Sequence, residues 1–230
     1  MALGTVARGP YTYKSSPHSS HSLLLDALQA EGRGQRVLDV GCAGGYLAQI
    51  LASRGYQVVG IERPGGCGDY FPDNVELVEA DLDAGLPRLS GKFQFVICGD
   101  VLEHLKDPAR MLAQIASVLT PDGRVLASVP NSGNVYFRLN ILAGRFPRED
   151  KGLFDRTHLH FYMWEGWKDL FESAGFQIER RKVSGVPVAL ALDGWNPAPV
   201  RVLEKLAYAA ARLRPTLFAY QFVLTARRLP

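Results

Sequence analysis

The stretch VLDVGCAGGYL at residues 37–47 decides the fold expected of this chain. Apolar, β-favouring residues run into Asp39 and a glycine-rich cluster, and residues 46–51 then resume with helical spacing. This order predicts a strand, a tight turn and a helix. Glycines let such a turn be sharp, and they leave backbone N–H groups at the helix N-terminus open to a ligand. The stretch therefore predicts the opening unit of a nucleotide-binding α/β sheet.

The position of the acid separates two classes of ligand. A dinucleotide fingerprint reads G-x-G-x-x-G after an apolar strand, whereas here Asp39 lies two residues before Gly41 and the last glycine spacing is absent. The pattern resembles motif I, D-x-G-x-G-x-G, of class I S-adenosylmethionine-dependent methyltransferases. Ala43 replaces the middle glycine of that motif. Because alanine resists a positive φ, we expect the left-handed residue of the turn at Gly41, Gly44 or Gly45 instead.

Composition and length bound the other possibilities. The chain has 230 residues and 47% hydrophobic content, which suffices for one α/β domain over residues 1–230. A net charge of +3 without a basic, aromatic-rich stretch argues against a nucleic-acid partner. The separated Cys42, Cys67 and Cys98 indicate reduced thiols. With no leader pattern and no apolar run of about 20 residues, we expect a cytoplasmic protein.

Three further predicted strands are followed or ended by acids: Glu62, Asp81 and Asp100. In a doubly wound sheet the carboxyl ends of the strands line the ligand crevice. Glu62 lies about 20 residues past the glycine turn, where a carboxylate can accept from both hydroxyls of a ribose. We expect Asp81 and Leu82 to hold the adenine and Asp100 to line the methionine end of the cofactor.

The resemblance extends beyond motif I. The acids after the second and third strands and the box DVLEHLKDP at residues 100–108 look like one methyltransferase family. More narrowly, the chain is similar to the type 11/23 group, which includes the ubiquinone-pathway O-methyltransferases. The segments SVPN (128–131) and DRTHLHF (155–161) also match a bacterial branch of that group that is associated with polysaccharide assembly. The resemblance implies S-adenosylmethionine as cofactor, held by Asp39, Gly41, Cys42, Ala43, Gly45, Tyr46, Glu62, Asp81, Leu82 and Asp100.

The fold class follows from the alternation of strands and helices. It predicts a seven-stranded, mostly parallel, Rossmann-like α/β sheet with helices on both faces and a final antiparallel strand at residues 218–226. A helical insertion at 187–215 separates the last two strands. Its apolar residues are expected to pack on the domain: Val200, Leu203, Leu206, Ala210 and Leu213. The basic residues of the same helix leave a peripheral membrane contact through 198–214 or a dimer contact open, so the chain is expected to be a monomer or a homodimer.

Two segments are expected to cover the site. Residues 131–162 interrupt the alternation directly after the fifth strand, and a loop of this length inside a compact domain is usually functional. We interpret it as a substrate lid that presents Tyr136, Arg138, Arg156 and His160. Residues 1–20 are rich in Gly, Ser and Pro but also carry aromatic residues, which favours an N-terminal cover segment.

Histidines are the candidate bases. Methyl transfer from a sulfonium is an in-line displacement, and a base helps when the acceptor is a hydroxyl. We rank His158, oriented by Asp155, ahead of His104, which follows the fourth strand. For both residues a purely structural role stays open. The remaining candidates are His18, His21 and His160.

The sequence thus predicts methyl transfer to a small-molecule hydroxyl. By resemblance alone, a sugar or lipid-linked glycan is favoured over a quinone or phenol. No metal-ligand spacing is present, so no metal is expected. No N/D-P-P-Y follows the fourth strand, which disfavours an adenine-N6 or a glutamine amide methyltransferase, and no Pro-Cys follows it, which disfavours a cytosine-C5 methyltransferase. A non-catalytic adenosyl-binding regulatory protein, a nucleic-acid methyltransferase and an NAD-dependent oxidoreductase remain as alternatives.

Overall fold

A computed structural model describes residues 16–67, 71–188 and 197–229. Its strands form one sheet in the order β3-β2-β1-β4-β5-β7-β6. The pairings are parallel except those of β7, which runs antiparallel between β5 and β6. This arrangement confirms the predicted sheet and its final antiparallel strand. The strands are β1 Arg36–Val40, β2 Gln57–Glu62, β3 Glu76–Glu79, β4 Phe93–Gly99, β5 Leu119–Pro130, β6 Phe176–Ser184 and β7 Gln221–Arg228.

Helices cover both faces of the sheet. The helix Pro108–Val118 begins after a capping carboxylate. Asp107 accepts a hydrogen bond from the backbone N–H of Arg110, and Pro108 fixes the first turn. A short 3-10 turn, Leu102–His104, follows β4. The helices are α1 Ser20–Leu25, α2 Tyr46–Ser53, α3 Pro108–Val118, α4 Val135–Leu142, α5 Trp164–Ser173, α6 Pro197–Leu213 and α7 Pro215–Phe218.

The core is divided by the sheet. One cluster packs α3 and α5 on one face, with Trp167 and Phe171 fully buried. The other packs α1 and α2 on the opposite face, where Leu24 and Leu51 are fully buried. Successive residues of a strand point to opposite faces, so an apolar strand such as β1 supplies both clusters. Burial on both faces fixes the sheet and the position of its carboxyl edge.

Strand β5 departs from the sequence prediction at its start. The sequence TPDG at residues 120–123 is typical of a turn and predicts that the strand begins at Arg124. In the structure β5 begins at Leu119, which pairs with Phe93, and the register then jumps to Arg124 opposite Phe95. Residues 120–123 therefore bulge out opposite one residue of β4. The expected chain reversal is a bulge within the strand.

Helix α6 lies within the predicted insertion, but its predicted packing face is confirmed only at Val200 and is wrong for the leucines. Val200 and Ala211 are buried, whereas Leu203, Leu206 and Leu213 are 44%, 61% and 80% exposed. The helix packs against β6, the edge strand, and its Tyr208 lies against Gly185, directly after that strand. The apolar stripe that contains Leu203, Leu206 and Leu213 faces outward.

The roles that the sequence suggests for the other insertions stay predictions. Within the described residues, no helix joins β2 to β3, as the short crossover in the sequence indicates. The segment 131–162 contains α4 and a small core of its own made by Phe137, Leu153 and Phe154. Most of the predicted cover segment, residues 1–15, lies outside the described residues. In the part of the chain that the structure describes, no helix combines the length and apolar character needed to cross a bilayer.

Candidate active site

The glycine turn after β1 contains three residues with positive φ. These are Gly41 (70°), Ala43 (46°) and Gly45 (72°). The expectation that alanine would avoid the left-handed region is wrong, and Gly44 is not left-handed. The backbone N–H of Ala43 donates to Glu62 Oε2 at 2.9 Å, which holds the alanine in this conformation. A strained residue kept in place by its surroundings is a common feature of ligand-binding turns.

Glu62 at the end of β2 braces this turn. Besides accepting from Ala43, its Oε1 accepts from the backbone N–H of Arg63 at 3.0 Å. Gly66 packs so close to it that an added Cβ would lie 2.5 Å from Glu62 Oε1. A carboxylate offers about four acceptor sites, so these two bonds leave capacity for ribose hydroxyls. That role stays a prediction.

Asp39 in the middle of the sheet has an unsatisfied acceptor. Its side chain is buried, and Oδ2 has no hydrogen-bond partner. Burial, and secondly the negative charge of Glu62, raises the pKa of Asp39 to about 7. A buried acceptor without a donor is unfavourable until something pairs with it. A cationic or N–H-bearing ligand in the crevice would satisfy it, so the turn fits the cofactor that motif I implies.

Other predicted cofactor residues surround the turn. Cys42 is buried against β2, where a Cβ on Gly60 would lie 2.7 Å from its Sγ. Tyr46 begins α2 and its ring lies 5.8 Å from that of His21. Cys42 thus supports the turn from behind, while Tyr46 stands at its open end.

The end of β3 is more exposed than the other strand ends. Asp81 is exposed and its Oδ1 accepts from the backbone N–H of Asp83 at 3.0 Å. Leu82 is half-buried and packs on the first core cluster. An adenine contact at these two residues stays a prediction.

Asp100 after β4 is held by distant residues. It has a φ of 57° and accepts from Ser128 Oγ at 2.5 Å and from Gln221 Nε2 at 2.7 Å. Ser184 Oγ donates in turn to Gln221 Oε1 at 3.3 Å. These partners were missed because they lie on other strands, far away in sequence, and no local motif marks them. The network fixes one carboxylate oxygen of Asp100 at the carboxyl edge of the sheet.

His158 lies beside the turn that follows β4. Its side chain is 7% exposed, and its Nε2 lies 3.9 Å from Glu103 Oε1. The ring also contacts His104, with 4.7 Å between centroids. Burial, and secondly the proximity of His104, lowers the pKa of His158 to about 4. The imidazole is therefore neutral at physiological pH.

No hydrogen bond joins the side chains of Asp155 and His158 in the described residues, although the negative charge of Asp155 acts to raise the pKa of His158; the predicted role of Asp155 stays a prediction. Asp155 Oδ1 accepts instead from the backbone N–H and the hydroxyl of Thr157, at 2.8 and 2.6 Å. Residues 155–158 form a turn closed by a hydrogen bond from the His158 N–H to the Asp155 carbonyl. This turn directs the carboxylate to its own loop, and Glu103 Oε1 lies 3.9 Å from the Nε2 atom of the imidazole. Glu103 stood in the sequence box without an assigned role.

Thr157 also sets the tautomer of His104. The Thr157 hydroxyl donates its proton to Asp155. Toward His104 Nδ1, the Thr157 hydroxyl oxygen, at 3.0 Å, and the Thr157 carbonyl oxygen, at 3.2 Å, can therefore only accept a hydrogen bond. Nδ1 of His104 therefore carries a proton, and Nε2 of the neutral ring is left as an acceptor. Asp155 thus acts on His104 through Thr157.

The four predicted lid residues all make contacts within the protein. Their contacts hold the lid to itself and to the 3-10 turn, and their roles toward a substrate stay predictions. Tyr136 Oη donates to Glu149 at 3.1 Å, Arg138 Nε donates to the Gly133 carbonyl at 2.6 Å, Arg156 pairs with Asp150, and His160 Nε2 donates to the Leu105 carbonyl at 2.8 Å.

A potential metal-ligand set was not visible in the sequence. Among the described residues, Glu103, His104 and His158 each offer a ligand atom, and these atoms lie within 4.8 Å of one another. One carboxylate and two imidazoles suit zinc or another divalent transition metal. Sequence spacing could not reveal the set, because the lid brings His158 to the other two. Metal independence stays a prediction.

Comparison with known proteins decides the family. A family model for a methyltransferase domain matches residues 16–180. The chain belongs to this methyltransferase family. Among its relatives, a ubiquinone biosynthesis O-methyltransferase from Aeromonas salmonicida is 32% identical over 165 residues, which is 68% of each chain. One from Albidiferax ferrireducens is 33% identical over 121 residues, 49% of this chain and 48% of the relative. This chain therefore spans about half the length of the second relative.

Solved structures show the same fold. An S-adenosylmethionine-dependent methyltransferase from Mesorhizobium loti aligns with a TM-score of 0.62 at 18% identity, over 91% of this chain and 98% of that one. A magnesium protoporphyrin IX methyltransferase from Synechocystis, solved with bound S-adenosylhomocysteine, aligns with a TM-score of 0.56 at 21% identity, over 90% and 80%. The resemblance to class I S-adenosylmethionine-dependent methyltransferases is confirmed, and the oxidoreductase and regulatory alternatives are set aside.

Proposed function

We propose that this methyltransferase transfers the methyl group of S-adenosylmethionine to a hydroxyl of a small molecule, and that this hydroxyl is phenolic. The observation that carries the proposal is the buried, neutral His158 beside Glu103 at the carboxyl edge of β4. The names of the relatives, O-methyltransferases of ubiquinone biosynthesis, support oxygen as the accepting atom. The glycan acceptor favoured by the sequence has no such support.

The chemistry of the base distinguishes a phenol from a sugar. A histidine with a pKa near 4 is a weak base, and proton transfer is efficient only when the pKa values of donor and acceptor are not far apart. A phenol, with a pKa of about 10, is a far stronger acid than a sugar hydroxyl. The charge of Glu103 would stabilise the imidazolium as the proton arrives, as a carboxylate does beside a catalytic histidine.

The same edge of the sheet holds the cofactor residues. S-adenosylmethionine, when bound, supplies a methyl group on a sulfonium that is already activated for displacement. We assign the glycine turn and Asp39 to one end of the cofactor, Glu62 to the ribose and Asp81 with Leu82 to the adenine. Asp100, held by Ser128 and Gln221, lines the part of the crevice nearest to His158.

The aromatic content of the lid supports the acceptor class. Phe137 and Phe154 are buried in the core of the lid, whereas Phe146, which meets Phe161 edge to face at 5.1 Å, is 46% exposed. We propose that residues 131–162 close over the acceptor and residues 1–20 over the cofactor. A planar phenol would contact such a lid through its ring, whereas a sugar would need more polar groups.

The first experiment separates donor binding from acceptor chemistry. Calorimetric titration should show micromolar binding of S-adenosylmethionine and S-adenosylhomocysteine and none of NAD. Methyl transfer is then assayed with a panel of catechols and a panel of free and lipid-linked sugars. Methylation confined to the sugars would contradict the phenolic acceptor while leaving the family assignment intact.

Substitution of His158 tests the base. We expect His158→Gln to lower kcat by about 100-fold or more while cofactor affinity is kept, because only proton removal is lost. Lys92→Gln is the control, since Lys92 directly precedes β4, at the opposite edge of the sheet from His158, and donates to the Ser117 carbonyl. Equal rates for the wild type and His158→Gln would reject this base.

Chelation tests the alternative role of the same residues. If His158 acts as a base, dialysis against EDTA leaves the rate unchanged. A rate lost on dialysis and restored by Zn²⁺ or Mg²⁺ would assign Glu103, His104 and His158 to a metal ion instead.

Helix α6 supports a peripheral membrane contact, which we propose together with a cytoplasmic location. Its exposed apolar stripe includes Val202, Leu206 and Leu213, and Arg201 and Lys205 flank the stripe. A stripe of this kind with cations beside it suits an anionic lipid surface.

Co-sedimentation with phosphatidylglycerol vesicles tests this contact. Leu206→Asp should abolish binding, and Leu142→Asp, which changes an exposed leucine on α4, should not. Concentration-dependent dimerisation that Leu206→Asp abolishes, without any vesicle binding, would assign the stripe to a second copy.

A further inference from the structure

A cavity of about 600 Å³ lies between α1, β6 and α6. It is separate from the glycine turn, because Leu23 and Asp26 of the α1 region line it while His21 lies near Tyr46 at the turn. Its size falls within the range of small-molecule sites, about 300–1,000 Å³. None of the roles proposed above uses it.

The charge of the cavity lining is positive. Arg181, Lys182 and Arg212 line it, with Asp26 as the single acid among the lining residues. None of these cations forms an ion pair with an acid in the described ranges, and Arg181 instead lies 4.1 Å over the ring of Trp164. Clustered cations that form no ion pairs and outnumber the acids around them raise the local concentration of anions.

The cavity also has a flat aromatic wall. His18 and Tyr208 stack in parallel, 3.7 Å apart with 5° between the ring planes, and both line the cavity. The volume exceeds what a phosphate ion alone would fill, and the stacked rings offer a surface for the rest of a larger anion. We infer that this cavity binds the phosphate or diphosphate group of an organic anion.

Two sources share this chemistry. One is a soluble organic phosphate, and the other is the headgroup of an anionic lipid, since α6 carries both cavity residues and the exposed apolar stripe. Lysine and arginine bind phosphate oxygens from either source. The experiment must therefore offer both forms.

The test is a calorimetric titration with inorganic pyrophosphate on protein saturated with S-adenosylhomocysteine, so that the cofactor crevice is blocked. We expect the double variant Lys182→Glu, Arg212→Glu to bind pyrophosphate at least about tenfold more weakly, because two charged contacts are lost. The control Arg88→Glu, Lys92→Glu makes the same charge change at two exposed residues before β4, outside both the cavity lining and α6. Its affinity should stay near that of the wild type.

A second arm identifies the source. Pyrophosphate binding that depends on Lys182 and Arg212, without binding to phosphatidylglycerol vesicles, indicates a soluble phosphate. Vesicle binding that the cavity variant loses and the control keeps indicates a lipid headgroup. Unchanged S-adenosylhomocysteine binding shows that each variant is folded, and Lys182→Gln, Arg212→Gln replaces the charge reversal if it is not. No binding in either arm, or an equal loss in both variants, would overturn the inference.

Discussion

For single residues, the burial of Asp39 predicts how stability and ligand affinity depend on pH. Its pKa of about 7 means that the folded protein without ligand holds a proton that the unfolded chain releases near 3.8. The free protein therefore loses stability as the pH rises from about 4 through about 7. The ammonium group of S-adenosylhomocysteine would favour the ionised carboxylate, so we expect the affinity for this ligand to increase as the pH rises through 7.

Titrations between pH 5.5 and 8.5 check this prediction. The variant Asp39→Asn should bind about 1–3 kcal/mol more weakly and lose the pH dependence. If the wild type and Asp39→Asn show the same slope of affinity against pH, another group carries the proton.

Single residues also show which features of the candidate site can be predicted from the sequence. Asp39, Glu62 and Asp100 were predicted to share one edge, and they do, because parallel strands end together. The orientation of Asp155 was not predictable, because a local turn decides where its carboxylate points. The role of Gln221 was not predictable because its contact with Asp100 is not local: it joins strands that are far apart in the sequence.

At the scale of elements, the glycine turn stores strain at Ala43. A left-handed alanine costs about 1–2 kcal/mol relative to the usual backbone regions, and glycine avoids this cost while losing more chain entropy on folding. We therefore expect Ala43→Gly to raise the free energy of unfolding by about 1 kcal/mol. Denaturant unfolding of both proteins, with equal slopes, measures the difference.

The matched control lies in the next element. Ala48 is fully buried inside α2, where glycine is expected to destabilise by about 1 kcal/mol. A loss of stability in Ala43→Gly as well would show that the alanine methyl packs against the second core and outweighs the strain.

Helix α6 shows the limit of periodicity as a predictor of packing. Its pattern correctly indicates an amphipathic helix. Periodicity identifies an apolar face but not the partner that covers it, and here Leu206 points away from β6. Sheet strands escape this ambiguity because both of their faces are covered by the chain itself.

At the scale of the whole molecule, the lid is stabilised separately from the sheet. Phe137, Leu153 and Phe154 form their own cluster, outside the two clusters on the sheet faces. Outside this cluster, the lid is joined to the domain by packing against Tyr220 and by hydrogen bonds such as that from the Leu159 N–H to the Glu103 carbonyl at 2.8 Å. A segment with its own small core can open without global unfolding. In the proposed function, the acceptor would reach His158 through such an opening.

Hydrogen exchange on two core variants tests this independence. We expect Phe154→Ala to speed exchange of the amides at 149–160 while leaving those of β4 and β5 protected, because only the lid core is lost. Phe171→Ala removes a ring from the core under the sheet and should lower the global free energy of unfolding by about 3–5 kcal/mol. If Phe154→Ala accelerated exchange equally in lid and sheet, the lid would unfold only with the whole domain. Acceptor entry would then need a path past a closed lid.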